Sequence, residues 1–201
     1  MNVWKIFIAW IGTVGGVLWA LKILYDAMVL ERQLHEAAPP SDLTDYTEFL
    51  IPLMCISSTV LIFQRYRSQA GIAPYLLALG LLLTSGFHAA EAFLTDSNIP
   101  FGLLFFLFGS ILVLIGSILL LLRLRQSDEA SSWLKRSVFA LCVSMFIFCL
   151  TPFVAGWLTY EIEKVVTLTA MVLTGLSWGS IGGALAIEET NVRDRGFVIG
   201  S

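Results

Sequence analysis

The chain has 201 residues, of which 57% are hydrophobic and 13% are charged, and its mean hydropathy is +0.83. Soluble domains carry about twice that share of charged residues, so the composition excludes an ordinary soluble domain. The formal net charge is −3, and the Lys and Arg residues stand singly or in small groups, which excludes a basic surface for nucleic acid. The composition is typical of an integral membrane protein surrounded by a lipid bilayer.

Six long apolar stretches, separated by short polar links, occupy most of the chain. In chain order they cover about residues 3–25, 48–66, 72–94, 101–123, 133–158 and 165–187. As helices, these stretches are long enough to cross a hydrocarbon core about 30 Å thick. They lack the alternating pattern of membrane β-strands. The sequence therefore predicts an all-α fold, a single membrane-embedded bundle of six transmembrane helices, with residues 26–47 as the longest link.

The basic residues are divided unequally between the two sides that six spans would define. Nine lie on the side of the N-terminus, namely Lys5, Arg65, Arg67, Arg123, Arg125, Lys135, Arg136, Arg193 and Arg195. The other side has three, namely Lys22, Arg32 and Lys164. Because Lys and Arg are enriched in cytoplasmic loops, both termini are predicted to be cytoplasmic. The compact chain, without evident targeting features, favours a bacterial inner membrane.

Small residues recur at helical spacing in three of the stretches. They are Gly12 and Gly16 in the first stretch, Gly102, Gly109 and Gly116 in the fourth, and Gly175, Gly179, Gly182 and Ala186 in the sixth. Helices in lipid associate through close backbone approach, which small residues permit. We expect these faces to pack the first, fourth and sixth helices against one another. The same faces would also suit a homo-oligomer or a membrane protein partner.

Polar residues follow one face of the third stretch, at steps of four, three and four: Thr84, His88, Glu91 and Thr95. His88 and Glu91 are one turn apart, and an ionisable pair inside a membrane indicates a functional site because its exposure to lipid is costly. Asp45 and Glu48, at the start of the second stretch, are candidates to join them. The same pair could instead serve only to lock two helices together.

This stripe predicts an outer-face polar pocket that binds or passes a small solute or ion, which would suit a transport protein. Two alternatives stay open. The small-residue faces and the lack of a nucleotide motif favour a non-catalytic membrane subunit, an assembly factor or a sensor. A membrane-embedded lipid-modifying enzyme with His88 as the base is less well supported, since no nucleophile or phosphate-binding motif accompanies it.

The sequence assigns no catalytic residue and no cofactor. The chain has two histidines, His35 and His88, and it lacks both Cys-x-x-Cys and His-Glu-x-x-His. A dedicated metal site is therefore not expected.

Overall fold

The computed structural model describes residues 3–36, 48–93, 99–154 and 157–198, and the side chains of residues 3–28, 48–90, 104–154 and 157–191. Among the described residues, helices are joined by turns and bends, and no strand occurs. These are α1 (Val3–Glu36), α2 (Leu50–Arg65), α3 (Arg67–Ala70), α4 (Ala73–Phe93), α5 (Ile99–Arg125), α6 (Ser132–Val154) and α7 (Tyr160–Val198). The predicted all-α fold is confirmed.

Five of these helices, α1, α4, α5, α6 and α7, contain an apolar segment long enough to cross a membrane. The second apolar stretch forms α2, which has 16 residues and is shorter than the others. The membrane-embedded bundle is thus supported, while the count of six spans and the cytoplasmic termini stay predictions. Both α1 and α7 continue beyond the apolar stretches, to Glu36 and Val198.

Glycine and proline explain several of the helix boundaries. Gly71, between α3 and α4, has a φ of 56°, a left-handed conformation that glycine adopts without steric cost. Pro52, Pro74 and Pro100 fall in the first turns of α2, α4 and α5, where a missing backbone N–H breaks no helical hydrogen bond. The short α3 and this turn connect α2 to α4 at one end of the bundle.

The six long helices close into a ring. Around it, α1 packs against α7, α7 against α6, α6 against α5, α5 against α4, α4 against α2, and α2 against α1. The ring has two ends, each named here after one of its residues. The Arg65 end holds the last turns of α2 and α5 and the first turn of α6, and the Glu48 end holds the first turn of α2 and the last turns of α4 and α6.

The closest helix contact joins α1 and α7. A Cβ atom at Gly16 would lie 2.6 Å from the carbonyl oxygen of Gly175, and one at Gly175 would lie 2.7 Å from the backbone nitrogen of Ala20. Because real Cβ contacts essentially never fall below 3.0 Å, side chains at these positions would push the helices apart. The two backbones are in direct contact here.

A second close contact joins α4 and α5. A Cβ atom at Gly80 would lie 2.6 Å from the carbonyl oxygen of Gly109, and one at Gly109 would lie 2.8 Å from that of Gly80. One at Gly116 would lie 3.0 Å from the backbone nitrogen of Leu77. Gly102 lies in α5, but its neighbours are outside the described side chains.

The expectation that the first, fourth and sixth stretches pack together is therefore wrong for the fourth. Gly109 faces Gly80 of α4 and Gly116 faces Leu77 of α4, because α5 lies across the ring from α1. The remaining small residues lie on α1 and α7. A Cβ atom at Gly12 would meet the hydroxyl of Ser58 in α2, one at Gly179 would lie 3.2 Å from the carbonyl oxygen of Thr13, and Ala186 is buried.

A buried polar cluster closes the ring at the Arg65 end. Glu188 of α7 accepts a hydrogen bond from the Tyr66 hydroxyl at 2.7 Å and another from the backbone N–H of Ser131 at 3.0 Å. The Arg65 Nε lies 3.2 Å from the same carboxylate, and Arg65 also binds Glu189 at 3.0 Å. Because Glu188 is only 7% exposed, these partners replace the water that its carboxylate loses on burial.

The neighbouring glycines Gly182 and Gly183 provide a matched test of the α1–α7 contact. A Cβ atom at Gly182 would lie 2.5 Å from the backbone nitrogen of Thr13, whereas one at Gly183 would meet nothing within 4 Å. We expect Gly182→Ala to lower the free energy of unfolding by about 1–3 kcal/mol through overpacking. Gly183→Ala should change it by less than about 1 kcal/mol, in the stabilising direction, because alanine favours helix. Unfolding titrations in SDS measure both, and equal effects would contradict the contact.

The Arg65 end offers a second pair of variants. Glu188→Ala leaves Arg65 and Tyr66 without their shared carboxylate, and we expect a loss of about 3 kcal/mol in unfolding free energy. Glu189→Ala removes a single contact with Arg65 and should cost about 1 kcal/mol or less. The same SDS titration measures the unfolding free energy of both variants. A Glu188→Ala protein as stable as the Glu189→Ala protein would show that the buried cluster does not hold the ring closed.

Candidate functional site

A polar pocket lies at the Glu48 end, between α1, α2 and α4. We call it the Glu48 pocket; it is lined by Trp19, Lys22, Ile23, Glu48, Ile51, Pro52 and His88. Three charged or titratable side chains thus meet among apolar ones. They come from three helices or their ends, so the pocket exists only in the folded ring.

Glu48, just before α2, bridges the two other helices with its two carboxylate oxygens. Oε1 pairs with the Lys22 ammonium of α1, and Oε2 lies 3.2 Å from Nδ1 of His88 in α4. Lys22 also donates to Asp26 one turn later on α1. The side chains of Lys22, Glu48 and His88 are 13%, 22% and 19% exposed. Their interactions are therefore stronger than those of fully solvated charges.

The ionisation of Glu48 follows from these contacts. Burial alone would raise the pKa of this carboxyl, but the contacts with His88 and Lys22 outweigh burial and hold the pKa below its usual value. Glu48 is therefore a carboxylate at neutral pH. One ammonium, that of Lys22, contacts the carboxylates of both Asp26 and Glu48.

A hydrogen bond between α4 and the start of α2 explains why Glu48 meets His88. The hydroxyl of Ser85, which is 5% exposed, donates to the carbonyl oxygen of Phe49 at 2.7 Å. His88 lies three residues after Ser85, on the same face of α4. Because Phe49 directly follows Glu48, this bond holds the carboxylate beside the imidazole.

A second, apolar space lies inside the ring, and we call it the central cavity. It is small, with room for about one or two water molecules. Five helices line it, with Trp19, Thr84, Phe106, Ser110, Val113, Met145, Phe148, Met171 and Thr174. The hydroxyls of Thr84, Ser110 and Thr174 each donate to a carbonyl four residues back in the same helix. The lining therefore has no hydroxyl donor left unsatisfied.

The pocket and the cavity adjoin. Trp19 of α1 lines both of them. The His88 ring lies 6.1 Å from that of Phe106, and Phe106 lies 5.6 Å from Phe148, edge to face. Since Phe106 and Phe148 line the cavity, a continuous row of aromatic rings leads from the charged group into the apolar interior.

The structure brings some of the predicted site residues together. His88 contacts Glu48, and Thr84, one turn below His88, is buried and lines the central cavity. Glu91 lies within α4, but its side chain is not among the described ones, and Asp45 and Thr95 lie outside the described residues. The proposed pairing of His88 with Glu91 therefore stays a prediction.

Sequence reasoning missed two residues of the site, Lys22 and Trp19. Both belong to the first stretch, where Lys22 was counted only as a basic residue of the outer side. A basic residue near a predicted polar stripe is a usable signal. Using it requires knowing that the end of α1 meets the end of α4 at the start of α2.

Among the described side chains, no three His, Cys, Asp or Glu residues come close enough to bind a metal ion. Comparison of the chain with protein-family models, curated proteins and solved structures finds no match. The class that the structure defines is a helical membrane protein, and any finer assignment rests on the pocket and the cavity.

Proposed function

We propose that the protein binds a small amine-bearing solute in the Glu48 pocket, as a membrane-embedded binding or transport protein. The observation that carries this proposal is the sharing of one ammonium, from Lys22, by the carboxylates of Asp26 and Glu48. Carboxylates that already bind one ammonium group, with Glu48 partly exposed, suit the ammonium group of a solute. Anionic solutes would meet repulsion from the same oxygens.

The side chain that carries the internal cation is flexible. Lys22 carries its charge on a flexible four-carbon stem, and an incoming ammonium could take its place beside Glu48 while Lys22 stays with Asp26. Glu48 is 22% exposed, so a solute reaches it without unfolding the bundle. His88, 3.2 Å from the other oxygen of Glu48, keeps the carboxylate oriented.

We further propose that the Glu48 end faces the cell exterior and the Arg65 end the cytoplasm of a bacterium. The unequal distribution of Lys and Arg in the sequence supports this orientation. Passage of a solute through the ring would then require opening of the Arg65 end, where Glu188 joins α7 to Tyr66 and to the loop before α6.

The alternative of a subunit or assembly factor rests mainly on the small-residue faces. Gly16 and Gly175, and likewise Gly80 and Gly109, make close contacts between helices of this chain. Folding of the bundle therefore accounts for these residues, and we do not propose a partner from them.

The binding proposal predicts opposite effects for two variants of the pocket. Glu48→Gln removes the carboxylate that would hold the solute, and we expect at least tenfold weaker binding of n-butylamine, about 1.4 kcal/mol. Lys22→Met removes the competing ammonium, and we expect at least threefold tighter binding. Saturation-transfer NMR on protein in lipid nanodiscs measures both affinities, with empty nanodiscs subtracted.

Two controls make this test specific. Glu161→Gln removes an equal charge from an exposed residue in the first turn of α7, at the same end, and should change affinity less than twofold. n-Butyrate, the probe of opposite charge, should bind weakly to the wild-type protein. Weaker butylamine binding in Lys22→Met, or equal binding of butyrate, would refute the preference for amines.

A further inference from the structure

We infer that the solute is amphipathic: a single-chain alkylamine whose ammonium group lies in the Glu48 pocket and whose chain lies in the central cavity. This inference rests on the proposed function and adds the chemical class of the ligand. Four properties of the cavity support the inference. They are its apolar lining, its connection to the Glu48 pocket, its movable side chains and its limited depth.

The lining of the cavity is mostly apolar and therefore suits a hydrocarbon chain. Its walls are aromatic rings, methionines, a valine and the hydroxyl-bearing Thr84, Ser110 and Thr174. Each of these hydroxyls already donates within its own helix, at 2.8–3.0 Å. A polar ligand would lose its hydrogen bonds with water on entering and would recover few of them. An alkyl chain makes no hydrogen bonds with water, so it loses none on entering the cavity.

The position of the cavity gives the ligand its two-part character. Trp19 lines both spaces, and Thr84 of the cavity lies one helical turn from His88 of the pocket. That turn corresponds to about 6 Å along α4. A head group bound at Glu48 therefore has the apolar space directly beneath it, and a chain attached to the head would reach it without crossing water or lipid.

The cavity is too small to hold an alkyl chain without rearrangement, but its walls include side chains that can move. Met145 and Met171, from α6 and α7, are unbranched and have several rotatable bonds, so they can change shape around a chain. Towards the Arg65 end the interior is filled by fully buried side chains, among them Leu120, Leu124 and Leu134. The space for a chain is thus confined to the Glu48 half of the ring, which selects a chain of limited length.

Photolabelling can locate such a chain. The probe is a dodecylamine with a diazirine in the middle of its chain, added to the wild-type protein in nanodiscs and mapped by peptide mass spectrometry. Helix α6 provides an internal comparison, because Met145 and Phe148 line the cavity while Phe146 and Leu150 are exposed on its outside. We expect labels on the cavity residues, and these labels should fall at least fivefold in Glu48→Gln.

A phosphocholine with the same diazirine chain is the control for bulk lipid and should label Phe146 and Leu150. Met171→Trp, which narrows the cavity, should remove the labels that the dodecylamine probe leaves on the cavity residues, while the phosphocholine probe should still label Phe146 and Leu150. If that variant does not fold, the labelling pattern of the wild-type protein alone decides the question.

The outcomes separate this inference from the proposed function. Labels only on Phe146 and Leu150, with butylamine binding intact, would overturn the inference and leave the proposed function standing. Cavity labels that persist in Glu48→Gln would also overturn it, because the chain would then bind without its head group in the pocket. A wild-type protein that binds butyrate as tightly as butylamine would refute both the inference and the proposed function.

Discussion

The backbones of α1 and α7 touch where Gly16 and Gly175 leave out side chains, and the arrangement of the bundle depends on this contact. In lipid, apolar side chains gain nothing by leaving the membrane, so association relies on close packing and hydrogen bonds. The first and last long helices are thereby held side by side, which closes the ring. The closed ring in turn places Trp19 and Lys22 of α1 beside the start of α2 and the end of α4.

The charged groups at the two ends of the ring differ in their burial and in their partners. At the Arg65 end, Glu188 has several partners and is almost fully buried, an arrangement whose desolvation is compensated by an arginine, a phenol and a backbone N–H. At the Glu48 end the charges are partly exposed, and two carboxylates share one ammonium. The carboxylate of the first cluster is therefore enclosed by its partners, whereas the carboxylate of Glu48 in the second is partly exposed.

Sequence patterns were sufficient for the helices and for part of the site. The length and apolarity of the stretches required helices, and the periodicity of α4 placed Thr84 and His88 on one face. The neighbours of each helix were harder to predict, because periodicity gives the direction of a face within a helix and not the helix that it meets. Gly109 was therefore assigned to the wrong partner, and the contact of Lys22 with Glu48, which joins distant parts of the chain, could not be predicted.

Native mass spectrometry of the protein released gently from its own membrane tests most directly whether the protein holds an amphipathic amine. We predict that the wild-type protein retains a small molecule whose fragments contain an amine and a hydrocarbon chain, and that Glu48→Gln loses it while Glu161→Gln keeps it. A wild-type protein that carries only molecules equally abundant on Glu48→Gln, or that carries none, would contradict the account.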